Sequence, residues 1–290
     1  MQTKCGFVAI VGRPNVGKST LMNHLIGQKI SITSRKPQTT RHKITGVLTD
    51  RDTQFIFVDT PGFQKKYLTE LNAKLNESVV KTLGDVDAVV FVVEAGIFNV
   101  ADENVALLLP KNRPVVVAVN KIDQIDKIQL KQFIQELTQK LGDLPIVIVS
   151  AKEHQGMDTL INLIDPYMPE SEWLYPEDNL TDRSSKFLVS EIIREKLFRY
   201  LGDELPYQTM VEVEKFVELP NLIKISALII VDKENQKAIV IGDKGDKLKK
   251  ISTEARLDIE KLLDNKVFLQ VWVKVKNGFA AEAKFLAQFE

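Results

Sequence analysis

The run Gly12-Arg13-Pro14-Asn15-Val16-Gly17-Lys18-Ser19, with Thr20 directly after it, combines the residue types needed to seat a polyphosphate. A glycine-bounded turn leaves backbone N–H groups pointing inward, and a helix opening at Lys18 adds the positive end of its dipole. Lys18 reaches the outer phosphates as a point charge, while the Ser19 hydroxyl is a ligand for Mg²⁺. Such a turn must follow a strand and open a helix. Phe7–Val11 reads as that strand, buried and parallel, and Lys18–Gly27 as the helix.

Further segments fit the same ligand. Asn120-Lys121-Ile122-Asp123 comes just after the strand Val115–Val119. A carboxylate such as Asp123 accepts hydrogen bonds from the guanine N1–H and exocyclic amine together, with Asn120 beside it in the base pocket. Adenine offers neither donor, and a buried carboxylate left unpaired costs roughly 10⁴-fold in discrimination. The Lys121 stem packs over the ring face, and Ser150-Ala151-Lys152 supplies a backbone N–H for the carbonyl at C6. Asp59-Thr60-Pro61-Gly62 follows the strand Gln54–Val58, placing Asp59 where it holds Mg²⁺ through a water. Gly62 offers its N–H to the γ-phosphate with no side chain in the way. Thr40, in preference to Thr39, completes the Mg²⁺ shell when the γ-phosphate is present.

The 290 residues leave room for two domains, each with its own core. Formal net charge is zero, so no global field draws the molecule to nucleic acid or acidic lipid, and such binding needs a local patch. Cys5 is the only cysteine, which excludes an internal disulfide and fits a reducing cytosol. The first strand begins within a few residues of Met1, leaving no room for a signal peptide, and the apolar run Ile225 to Val231 is too short to span a bilayer. A cytoplasmic monomer is expected.

Stepping along the chain, β-branched runs alternate with helical stretches up to about residue 168. Strands are predicted at Phe7–Val11, Gly46–Thr49, Gln54–Val58, Ala88–Val93, Val115–Val119 and Ile146–Val149. Helices are predicted at Lys18–Gly27, Leu71–Leu83, Glu103–Leu109, Leu130–Leu141 and Met157–Ile164. The alternation predicts an α/β domain over 1–168 with a doubly wound, mostly parallel sheet and ligands at its carboxyl edge. Residues 169–183 are acidic, broken by prolines and aperiodic, and read as a linker in which Trp173 and Tyr175 act as anchors. Over 184–290 the expected order is a helix Phe187–Leu201, strands Thr209–Val217 and Leu222–Val231, the loop Gly242-Asp243-Lys244-Gly245, a lysine-rich helix to about Leu263 and a strand Phe268–Val275. That is a smaller α+β unit. By propensity alone Ala238–Ile241 is strand.

The motif order Gly12–Ser19, Thr40, Asp59–Gly62 and Asn120–Asp123 resembles the translation-factor class of P-loop GTPases. The wording of the phosphate loop, the stretch Lys36-Pro37-Gln38-Thr39-Thr40-Arg41, Tyr175-Pro176-Glu177-Asp178 and Ile193-Arg194-Glu195-Lys196-Leu197 make the chain similar to the Era family, within the TrmE-Era-EngA-like superfamily. The resemblance runs along essentially the whole chain and implies a GTPase domain followed by a type II KH domain. It implies hydrolysis of GTP to GDP and phosphate, binding to 16S ribosomal RNA near its 3′ end, and a role in late assembly of the 30S subunit. For some members it implies peripheral association with the inner membrane. It also makes Ala238–Ile241 helical.

The resemblance bears on catalysis too. Many related GTPases carry a water-orienting Gln where this chain has Phe63, and an aromatic ring cannot align water by hydrogen bonding. Turnover is therefore expected to be slow. In relatives an Asn at the Asn15 position helps bind K⁺, which counters charge as the phosphoryl group departs. Lys18, Thr40, Gly62 and Asn15 are the expected catalytic set; neither Arg13 nor Arg41 is expected to serve as an arginine finger.

In the second unit, Ile241, Gly242, Asp243, Lys244 and Gly245, with Lys247, Lys249 and Lys250 behind them, are the expected RNA contacts. A Gly-x-x-Gly loop brings the main chain close to about four unpaired nucleotides. Asp243 and Asp246 weaken the local positive field, which shifts weight from phosphate to base contacts. The ending Asn277-Gly278-Phe279-Ala280-Ala281 departs from the Trp/Arg/Asp-rich tail of the family. His24, His42 and His154 show no ligand spacing and are expected to be structural or surface groups. Two competing readings are a GTPase of tRNA modification, which predicts a helical insertion and a C-terminal cysteine that this chain lacks, and a non-hydrolysing, nucleotide-sensing RNA-binding module.

Overall fold

A computed structural model describes residues 2–34, 36, 39, 43–63, 70–202 and 204–278, with the side chains of 70–75 outside the description. Two compact units result, one of Met1–Ser31 and Thr40–Asp182, the other of Ile32–Thr39 and Arg183–Glu290.

The first unit holds strands β1 (Lys4–Val11), β2 (Ile44–Asp50), β3 (Thr53–Asp59), β4 (Ala88–Glu94), β5 (Val115–Asn120) and β6 (Ile146–Ile148). They form one sheet in the order β2-β3-β1-β4-β5-β6. Every pairing is parallel except β2 with β3, an antiparallel hairpin at the edge. Helices α1 (Lys18–Ile26), α2 (Glu70–Gly84), α3 (Val100–Ala106), α4 (Lys127–Leu141) and α5 (Met157–Ile164) complete the unit. The Ala-Val-Val-Phe-Val-Val core of β4 and the Val-Val-Val-Ala-Val run of β5 are buried throughout. Strands covered on both faces have no use for alternating polar residues. α3 opens on a capping box between Asn99 and Asp102, and α4 on Asp126, which accepts from the N–H groups of Ile128 and Gln129.

Strand order reverses at β1, between β3 and β4, so the turn after Val11 lies at the switch point where doubly wound sheets bind ligands. Ile10 pairs with Asp59 and Glu94 with Asn120, which brings the tips of β1, β3, β4 and β5 to one edge.

The predicted linker is a strap on the first unit. Lys4 bridges Glu170 and Gly46 bridges Thr181. Trp173 Nε1 donates to the Asp52 carbonyl at 3.2 Å, and the Gln54 carboxamide accepts from the N–H groups of Leu174 and Tyr175 at 3.0 Å. Aperiodic, proline-broken sequence fits a strand edge as readily as it fits a free tether, because such pairing draws on backbone groups that any residue carries.

The second unit runs α6 (Ser185–Tyr200), β7 (Met210–Leu219), β8 (Leu222–Val231), α7 (Glu234–Ile241), α8 (Asp246–Leu263) and β9 (Val267–Val275). Its sheet has the order β7-β8-β9, with β7 antiparallel and β9 parallel to β8. Ile223, Ile225, Ala227, Ile229 and Val231 of β8 face a core shared with Val189, Ile193 and Leu197 of α6, Val240 of α7 and Ile251, Ala255 and Ile259 of α8. Ala238–Ile241 is helical, as the family order implies and against local propensity, because Val240 has to reach that core from a helix.

Candidate functional site

The phosphate loop leaves β1 at Gly12 and enters α1 at Lys18. Gly17 has φ of 101°, and a Cβ there would lie 2.3 Å from Asn120 Nδ2, so both backbone shape and space require glycine. Lys18 is buried, and its Nζ donates to the carbonyls of Gly12 and Arg13 at 3.0 Å. Burial, only partly offset by Asp59, pulls the Lys18 ammonium down to about 8. Val16 is fully buried, whereas Asn15 stands exposed with φ of 65°. Thr20 lies half-buried in the first turn of α1.

Ser19 Oγ donates to Asp59 Oδ2 at 2.7 Å, and Ser31 Oγ reaches the same oxygen at 2.8 Å. The Thr60 hydroxyl donates to the Ile10 carbonyl at 2.9 Å. A Cβ on Gly62 would meet the ring and backbone of Pro14 at 2.8–2.9 Å, so only glycine brings this backbone, with Pro61 ahead of it, against the phosphate loop. A hydroxyl and a buried carboxylate in contact at the head of α1 are the hard oxygen donors that Mg²⁺ takes, so these residues fit that ion. Thr40 and Arg41 lie outside the described residues.

Phe63 is buried. Its ring is in the hydrophobic core with Ala9, Val11, Val79 and Leu83, so only its backbone is on offer to a ligand. Arg13 is anchored: Nη2 binds Glu94 at 2.7 Å and Nε binds Asp102 at 3.1 Å, with Lys121 Nζ on Glu94 at 3.0 Å. Burial raises the Asp102 carboxyl despite Asn99 and Arg13; at Glu94, burial is outweighed by Lys121 and Arg13, and the carboxyl falls below its usual range.

Asn120 is a brace between loops. Its Nδ2 donates to the Val16 carbonyl at 2.8 Å, and its Oδ1 accepts from Ala151 N–H at 2.9 Å. Asp123 is exposed, with Oδ1 accepting from Ser150 Oγ at 2.6 Å. Ile122 packs on the core from below. Ser150 is further tied to Gln155 by paired backbone bonds of 3.1 Å, and its hydroxyl accepts from Glu153 N–H. The Ala151 N–H of this loop is given to Asn120 in this structure.

The same loop brings together two histidines that sequence separation hid. His24 and His154 approach with Nδ1 atoms 3.0 Å apart and rings edge to face at 3.8 Å. Burial and the facing His154 lower the His24 pKa. Among the described residues no group of three or more His, Cys, Asp or Glu could hold a metal. His42 lies outside the described residues.

In the second unit, Gly242 follows Ile241 at the end of α7 and Gly245 caps α8. Gly242 has φ of 76°, and a Cβ there would strike Lys247 Cβ at 2.6 Å. Asp243, Lys244 and Lys249 are exposed, whereas Lys250 lies over the Tyr200 ring, 4.7 Å from its centroid.

Sequence reasoning missed the charges of α6. Glu191, Arg194, Glu195 and Lys196 are all buried. Arg194 binds Glu191 through Nε at 2.7 Å and donates from Nη2 to the Thr39 carbonyl at 2.7 Å. Glu195 accepts from Thr33 N–H at 3.1 Å, and Lys36 Nζ donates to the Leu201 carbonyl at 2.7 Å. Four charges within six residues of a half-apolar helix were the available signal.

A phosphate loop on a doubly wound sheet, a carboxylate at the β5 tip and a Gly-x-x-Gly loop between helices define a P-loop GTPase joined to a KH unit. Residues 7–121 match a family described as a 50S ribosome-binding GTPase, and residues 204–279 match the KH domain. The chain is 59% identical to GTPase Era of Chromobacterium violaceum over 98% of its own length and 97% of that protein's. It is 58% identical to GTPase Era of Neisseria meningitidis serogroup A, over 98% and 94%. A crystal structure of an Aquifex aeolicus Era point variant bound to GDP·AlF₄⁻ superposes with a TM-score of 0.91 at 38% identity, covering 99% of both chains. Era in complex with MgGDPNP and nucleotides 1506–1542 of 16S ribosomal RNA matches with a TM-score of 0.91 at 38% identity, over 99% and 98%. The chain belongs to the Era family of GTPases.

Proposed function

We propose that the chain is a Mg²⁺-dependent, GTP-hydrolysing switch that binds 16S ribosomal RNA near its 3′ end through the KH unit and assists late assembly of the 30S subunit. The observation that carries the nucleotide half is Asp123, an exposed carboxylate pinned by Ser150 at the same sheet edge as the phosphate loop. The RNA half is supported by the KH match and by the 16S complex of an Era relative.

In this reading Lys18 gives up the Gly12 and Arg13 carbonyls for the outer phosphates of GTP. Ser19 and Asp59, joined by Thr40, would hold Mg²⁺, which would supply positive charge to offset that developing on the phosphate oxygens. Gly62 donates its N–H to the γ-phosphate. With Arg13 tied to two carboxylates and the Phe63 ring in the core, neither side chain aligns water, which fits activation by backbone and substrate groups and slow turnover. Asn15 and loop carbonyls would hold a K⁺ ion, which would add positive charge beside the phosphates. The chain works as a cytoplasmic monomer with peripheral contact to the inner membrane; no helix among the described residues is long and apolar enough to cross one.

Single-turnover hydrolysis of GTP in potassium and in sodium buffer, with and without RNA from the 3′ end of 16S, tests this. Faster hydrolysis in potassium and a further gain with RNA are expected. Equal rates in both salts would remove the K⁺ step, and no hydrolysis under any condition would leave only a nucleotide sensor.

A further inference from the structure

The sheet of the KH unit has one face under α6, α7 and α8, and the face opposite has no element over it among the described residues. Register decides what stands there. Lys224 of β8 pairs with Phe268 of β9, Ser226 with Gln270 and Leu228 with Trp272. Lys215 of β7 pairs with Ser226 from the other side, and Lys274 continues the β9 row. Phe268 is 50% exposed and Trp272 59% exposed, although the helix-facing residues beside them are buried or half-buried. Lys215, Lys224 and Lys274 are exposed and have no ion-pair partner among the described residues. The acids here are Glu212, opposite Leu228, and exposed Glu214, in the bulge beside Lys215.

We propose that this open face is a second binding surface for single-stranded RNA, stacking bases on Phe268 and Trp272 while the three lysines meet phosphates. Aromatic rings on a flat strand, interleaved with polar side chains and rimmed by cations, form the platform on which unpaired bases stack regardless of sequence. The rings are four residues apart on β9, about 13 Å, so they hold bases that are not neighbours. A protein partner is disfavoured because lysine is depleted from protein interfaces, and a lipid surface because Gln270 and Ser226 interrupt the apolar area. The Gly-x-x-Gly loop lies in the helix layer on the other side of the sheet, so one strand of RNA longer than the KH groove can engage both. The proposal rests on the reading of the chain as an RNA-binding protein, but not on that groove.

The chain has two tryptophans, so full-length protein carrying Trp173→Phe reports on Trp272 alone. Titration with a twelve-nucleotide oligoadenylate should quench its emission saturably, and the quench should survive Lys244→Asp in the groove loop. By anisotropy, Trp272→Ala should weaken binding of that RNA about tenfold, while Trp272→Phe stays within about threefold. Replacing the three lysines by Gln should lower the salt slope of binding by about two. RNA binding with unchanged Trp272 emission overturns the proposal and leaves the KH groove standing. A blue shift with phosphatidylglycerol vesicles but none with RNA overturns it in favour of lipid. Absence of RNA binding by anisotropy overturns the RNA-binding reading itself.

Discussion

Replacing Asn120 by Ala separates a residue that braces the nucleotide site from one that only reads the base. Asn120 is 2% exposed, and both ends of its amide are engaged by backbone groups of buried residues, the Val16 carbonyl and the Ala151 N–H. Truncation strands both. A buried polar group without a partner costs about 1–3 kcal/mol, and with water reaching one of the two the loss is about 3 kcal/mol. For a unit of this size that is a fall of about 9 °C in melting temperature. The assay is thermal unfolding of nucleotide-free protein, followed by a probe of the first unit such as Trp173, which hydrogen-bonds the Asp52 carbonyl. Were Asn120 reserved for guanine, the nucleotide-free protein would not feel its loss. A variant melting within about 1 °C of the parent would refute the brace.

Lys18 carries the pH dependence of the site. Its folded value of about 8 lies below the usual 10.5, so the unfolded chain binds more protons between those values and stability rises with pH across that window. Relative to Lys18→Met, nucleotide-free protein should gain up to about 3 kcal/mol in urea denaturation over that range. Affinity for inorganic triphosphate should fall about tenfold per pH unit above 8, since the bound anion needs the charged form. His24 works in the same sense at lower pH: its folded value lies below 6.5, so its contribution is present above 6.5 and is lost as pH falls through the folded value. His24→Asn should flatten the decline in stability on the acid side, measured by urea denaturation at about pH 7 and about pH 5.5.

Much of the first unit was legible because its strands are short, continuous apolar runs that nothing but a doubly covered sheet explains. The predicted runs at 88–93 and 115–119 differ from β4 and β5 by one residue at the C-terminal end. Motif residues were legible for a related reason: a switch point collects strand tips, so residues directly after strands converge. What pairwise geometry adds was not legible. Nothing in Asn120-Lys121-Ile122-Asp123 says that the amide of the first residue closes onto the phosphate loop. His24 and His154 meet because α1 and the loop after β6 adjoin the same edge, which spacing does not encode. The charges of α6 gave no hint that Glu195 accepts from Thr33 N–H and Arg194 donates to the Thr39 carbonyl; in the linker read at 169–183, Trp173 is the anchor its type suggested, while the backbone bridges at Glu170 and Thr181 leave no side-chain signature. Ala238–Ile241 shows the converse, four strand-prone residues made helical by the core that Val240 must reach.

The central claim is that Asp123 makes this a guanine site, and nucleotide competition on Asp123→Asn tests it most directly. The parent chain should prefer GTP over ATP and over xanthosine triphosphate. The variant should lose GTP by roughly 10³–10⁴-fold and gain xanthosine triphosphate, whose ring carbonyl can accept from the new amide. Retention of GTP by the variant, or ATP competing equally in the parent, would contradict the account.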